Sequence, residues 1–83
     1  MKVMLLDENK ILDISDKSPK TTQPLIERFL SKHQRAGSGE VAFITGNSEE
    51  IRNQVARSAF LNNCPVNYDF LYNNGCIVVE INN

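Results

Sequence analysis

With 83 residues, 41% of them hydrophobic and 23% charged, and a formal net charge of −1, the chain is sized for one domain and composed like an average globular protein. That balance argues against intrinsic disorder, against a strongly basic nucleic-acid binder and against an acidic DNA mimic. No apolar run approaches the roughly 20 residues of a membrane span, and Cys64 and Cys76 are spaced like neither a zinc ribbon nor a redox motif. The expected setting is therefore a reducing cytoplasm, with no membrane attachment and no disulfide framework.

Residues 3–6 and 11–14 are short apolar runs rich in branched side chains, and the polar run 7–10 between them reads as the turn of a hairpin. The first of these runs turns acidic at Asp7 and Glu8, which suits a strand better than a secretion signal. Residues 16–22 lack apolar periodicity and read as a connection. Thr22 or Gln23 then caps a first helix over 24–36, with Pro24 in its opening turn, where the missing amide proton costs nothing. Leu25, Ile26, Phe29, Leu30 and His33 fall on one arc at 100° per residue, and Gly37 ends the helix. Lys32, His33 and Arg35 lie in the last turns, where cations complement the helix dipole.

After the short joint of Ser38 and Gly39, residues 40–45 contain an unbroken apolar stretch from Val41 to Ile44, the pattern of a central strand covered on both faces. A second helix follows, capped by Asn47 or Ser48, carrying Glu49 and Glu50 in its first turn and running to about Asn62. Its expected buried side is Ile51, Val55, Ala56, Ala59 and Phe60, and Cys64 with Pro65 closes it. Residues 66–72 alternate, and Asn74 followed by Gly75 leads into a last strand over 76–81, the strongest hairpin signal in the chain.

The resulting fold class is α+β, of order β-β-α-β-α-β-β. It is a two-layer α/β sandwich with a mostly antiparallel sheet and two helices on one face. A parallel crossover from the third strand through the second helix is the alternative connection, and the strand order stays open.

Charge is segregated. No Lys or Arg follows Arg57, while Arg28, Lys32 and Arg35 share one side of the first helix at i, i+4 and i+7, within reach of Lys17 and Lys20. Such a stripe can track phosphates or dock on an acidic protein, although its ordinary role is a solvated helix face. Arg52 falls inside the second helix's apolar arc beside Asn47 and Ser48, a candidate anion site at a helix amino terminus. Glu49 and Glu50 oppose an anion there, and the ordinary alternative is a snorkelling arginine.

A two-residue turn at Asn74 and Gly75 sets Tyr68 opposite Ile81, Asp69 opposite Glu80 and Leu71 opposite Val78. In that register Ile77, Val79 and Ile81 face the core. Leu71 and Val78 form a small apolar patch on the open face, beside a like-charge pair too sparse in oxygen ligands to hold a metal. The same register keeps Cys64 and Cys76 too far apart for a disulfide.

Catalysis finds little support. His33 lies on the core arc and neither cysteine has a base and an orienting group beside it, so no catalytic residue, metal ligand or cofactor is expected. The sequence therefore points to a non-enzymatic module, a small accessory or inhibitor protein that binds a larger protein or pairs as a homodimer. Its candidate contacts are Arg28, Lys32, Arg35, Lys17, Lys20, Leu71 and Val78. A nucleic-acid-binding regulator using the basic stripe is the less favoured alternative, because the carboxyl-terminal part carries no basic residue.

Overall fold

The computed structural model describes residues 7–37, 39–67 and 75–81. The expected strand at 3–6, Leu71, Asp69 and the tip of the last hairpin lie outside them. Among the described residues a 3-10 turn (Glu8–Lys10) leads into β1 (Ile11–Asp13), followed by α1 (Pro19–Ala36), β2 (Glu40–Ile44), α2 (Glu49–Leu61), β3 (Val66–Asn67) and β4 (Cys76–Glu80). The fold is α+β. Its four-stranded sheet has the order β1-β2-β4-β3, with β1 parallel to β2 and β4 antiparallel to both of its neighbours. β2 and β3 thus run in the same direction on either side of β4, and the crossover through α2 spans the inserted strand.

Among the described strands the two in the middle carry unbroken apolar runs. Val41, Ala42 and Phe43 on β2 and Cys76, Ile77, Val78 and Val79 on β4 are all buried. On one face Val41, Phe43, Ile77 and Val79 meet Ile26 and Leu30 of α1 and Ile51, Val55 and Ala59 of α2. Both helices therefore cover the same face. On the other face Ala42, Cys76 and Val78 are also buried, with Ile11 packed against them. Removing apolar surface from water on both sides of β2 and β4 is the main stabilising term of the fold.

Helix α1 begins five residues earlier than expected. Pro19 occupies its first turn, and the Ser18 hydroxyl caps it by accepting from the Thr21 amide. The polar connection therefore ends at Ser18, and Lys20 lies on the helix. Thr22, expected as a cap, is fully buried inside the helix, and Pro24 sits where its missing N–H leaves the Lys20 carbonyl without the usual donor. Gly37, left-handed at φ 64°, closes the helix as expected. The cap of α2 is Ser48, whose Oγ accepts from the Ile51 amide at 3.2 Å.

The two helices touch each other through a polar seam. Thr22 donates to the Gln54 side-chain oxygen, and Gln54 Nε2 donates to the Pro19 carbonyl at 2.7 Å and to Gln23 Oε1 at 3.1 Å. Gln23 also reaches Ser58, and Gln34 donates to the Asn62 carbonyl at 3.0 Å. Small or bonded side chains at this seam let the helices approach closely without stranding buried donors.

The last hairpin is displaced from the expected register by four residues, with Val66 opposite Val79 and Asn67 opposite Val78. The expected pairing needs Asn74 and Gly75 to close a two-residue turn. Gly75 is instead tied to the end of β2, where its carbonyl accepts from the Thr45 amide at 2.7 Å and the Gly46 amide at 3.2 Å. A Cβ on Gly75 would lie 3.2 Å from the Gly46 Cα, and its φ of 83° is left-handed, so glycine suits this contact on both counts. Glu80 lies opposite Glu40 on β2, and its amide donates to the Pro65 carbonyl on the other side. The like-charge pair at this end of the sheet is thus Glu40 with Glu80. Val78 is 2% exposed, which corrects its placement in an open apolar patch, because β4 is a central strand covered on both faces.

Candidate functional site

Three regions carry the residues singled out from the sequence, together with one that the sequence reading missed. The missed region is the carboxyl-terminal end of α2. Ile51, Val55, Ser58 and Ala59 form the buried line of that helix, and Phe60 falls on the opposite side, 78% exposed. Placing it on the buried side made the apolar arc too wide. At 100° per residue Phe60 lies some 140° from the Val55 direction, well outside the stripe that faces the sheet. Leu61 is 68% exposed.

A Schellman ending fixes this geometry. The Cys64 amide donates to the Ala59 carbonyl at 2.8 Å and the Asn63 amide to the Phe60 carbonyl at 3.1 Å, with Asn63 left-handed at φ 59°. This reversal buries Ala59 and Cys64 and leaves Phe60 and Leu61 outside. Together with Asn63, Cys64 and Pro65 they line a groove of about 550 Å³. Two large exposed hydrophobics in consecutive positions beside a proline form the kind of patch that marks an interaction surface. Its signal in the sequence is weak, resting on the phase of one aromatic residue relative to Ile51 and Val55.

The basic stripe is formed as expected. Arg28, Lys32 and Arg35 are all exposed on the side of α1 away from the α2 seam. Lys20 is exposed in the first turn. Lys17, in the preceding turn, lies 3.8 Å from Asp16 in an exposed ion pair. Beside the stripe, Leu12 of β1 with Leu25 and Phe29 of α1 are half-buried and form with Arg28 and Lys32 a second groove, of about 190 Å³.

At the amino terminus of α2 the structure gathers Ser48 and Arg52, with Asn47 exposed just before them. The Ser48 oxygen is already used as the cap. The Arg52 Nε is buried with no hydrogen-bond partner among the described residues. Burial pushes the Cys76 thiol above its ordinary value, and the Arg52 charge pulls it partly back. The cysteine is thus held as a neutral thiol, a poor nucleophile. Both Cys64 and Cys76 are buried and free.

His33 is buried, edge-on to Phe29 with ring centroids 4.5 Å apart, and burial holds it below its ordinary value of 6.5. The Asn9 backbone acts in the opposite direction, while Lys32 and Lys10 add to the lowering. Asp13 is held below the usual carboxylate value by the Ser15 hydroxyl, at 2.7 Å, and by the Ser15 amide, at 3.0 Å. That contact shapes the turn before α1.

Among the described residues no three His, Cys, Asp or Glu side chains are grouped to hold a metal, and no helix is long and apolar enough to cross a membrane. Comparison of the chain with protein-family models, with curated proteins and with solved structures finds no match.

Proposed function

We propose that the chain is a non-enzymatic protein-binding module, a small accessory or inhibitor protein that acts by docking on a larger protein. The observation that carries this reading is the exposure of Phe60 and Leu61 at the Schellman-closed end of α2. Exposed aromatic side chains on a rigid element are favoured binding anchors, because they desolvate much area while losing little conformational freedom. Val78 is buried and offers no comparable apolar surface, so the docking surface is placed at the α2 end.

Capture from native lysate tests the reading with three baits: wild type, Phe60→Ser with Leu61→Ser, and Arg28, Lys32 and Arg35 each changed to Glu. The expected result is a protein retained by wild type through nuclease digestion and a rising salt series, and lost with the α2 variant. Retention unchanged in the α2 variant overturns the reading. Binding that vanishes with nuclease, falls steeply with salt and disappears in the arginine and lysine variant favours the nucleic-acid alternative, which the exposed stripe on α1 supports.

A further inference from the structure

The groove between β1 and α1 combines an apolar floor with a cationic rim. Its floor is apolar: Leu12, Leu25 and Phe29 pack on one side against the core and leave part of their surface in the groove. Its rim is cationic, with Arg28 and Lys32 one helical turn apart and both exposed. Neither has an acidic partner among the described residues. Arg35 continues the same side of α1 toward its end. Seam side chains such as Gln23, Glu27 and Gln34 lie on the other flank of the helix, so the cations are not drawn into the contact with α2.

We infer that this groove docks an acidic segment of a partner protein, seating an aliphatic or aromatic side chain over Leu12, Leu25 and Phe29 while flanking carboxylates pair with Arg28 and Lys32. Charge complementarity selects the occupant, since unpaired cations beside an apolar floor favour a ligand that is both acidic and hydrophobic. Guanidinium pairing with carboxylates adds direction as well as attraction.

A single-stranded nucleic acid is less well served. Phe29 is the one aromatic side chain lining the groove and is half-buried, so successive bases find no row of rings to stack on. The inference rests on the reading of the chain as a protein-binding module but uses a different helix, so each surface can fail alone.

The test titrates the isotope-labelled full chain with three probes while amide shifts are followed by NMR. These are a short capped peptide in which glutamates alternate with leucine and phenylalanine, the same peptide with lysine for each glutamate, and an oligothymidylate. The glutamate peptide should bind saturably and shift Leu12, Leu25 and Phe29 most. Arg28→Glu with Lys32→Glu should weaken it about tenfold, the size expected for losing two exposed charge pairs, and should strengthen the lysine peptide. Phe60→Ser with Leu61→Ser should leave the peptide affinity unchanged, which separates this groove from the α2 end. The inference is overturned by no saturable binding, by shifts that map elsewhere, by indifference to the charge reversal, or by oligothymidylate outcompeting the peptide.

Discussion

The two helices lie side by side on one face of the sheet, yet they show opposite chemistries to the outside. Helix α1 presents Arg28, Lys32 and Arg35 and keeps its large apolar side chains wholly or partly buried, whereas α2 buries a narrow line of Ile51, Val55 and Ala59 and leaves Phe60 and Leu61 in the open. The difference follows from how each helix is held. α1 crosses near β1 at the side of the sheet, so Leu25 and Phe29 join Ile26 and Leu30 in covering it. α2 contacts the sheet through a thinner stripe, and in its last turn Ala59 faces the core while Phe60 and Leu61 face outward before the left-handed Asn63 reverses the chain. A hydrophobic residue in such a turn contributes little to folding, which leaves it available for binding.

The largest expected effect separates the two phenylalanines. Phe43 is fully buried between the helices and the sheet, so Phe43→Ala should destabilise the domain by about 3–5 kcal/mol in urea or thermal unfolding. Phe60→Ala should stay within about 0.5 kcal/mol, the usual range for a surface substitution. A comparable loss at both positions would remove the distinction between core and docking surface.

A smaller effect comes from the reversal that sets Phe60 and Leu61 outward. Asn63→Val forces a branched side chain into the left-handed region and should cost on the order of 1–2 kcal/mol, while Asn63→Gly should be neutral or stabilising. Equal unfolding midpoints for the two variants would show that the Schellman ending does not hold the α2 end.

The smallest effect belongs to α1 and appears only in acid. His33 binds a proton less readily in the folded protein than in the unfolded chain, so stability is full above about pH 6.5 and falls as pH drops through that value toward the folded pKa. His33→Gln should flatten this part of the stability profile relative to wild type. An unchanged acid limb in the variant would place its origin in the carboxylates.

Much of the fold was legible because its signals are local and redundant. Gly37, the acidic first turn of α2 and the unbroken run of β2 each state one structural fact. The run at 76–79 is as unbroken as that of β2, but the hairpin reading put Val78 on an open face, and the place of β4 beside β2 in the middle of the sheet was not read from the sequence.

What was not legible depended on distant contacts. The start of α1 was obscured because Thr22 looks like a cap until the Gln54 contact shows it buried. The hairpin register was misplaced because the Gly75 carbonyl is held by the Thr45 and Gly46 amides at the end of β2, a contact that no local signal announces. At the sites, the basic stripe followed from helical spacing alone. The α2 patch did not, because a phenylalanine one position past a buried alanine reads as core unless the arc is drawn narrowly.

The central claim is that the end of α2 is where a partner protein docks. Its most direct measurement places a photo-crosslinking amino acid at position 60 in the native cell, with the same amino acid at position 49, at the other end of α2, as control. A discrete heavier adduct containing a second protein, formed from position 60 and absent from position 49, is the predicted result. No adduct from position 60, or the same adducts from both positions, would contradict it.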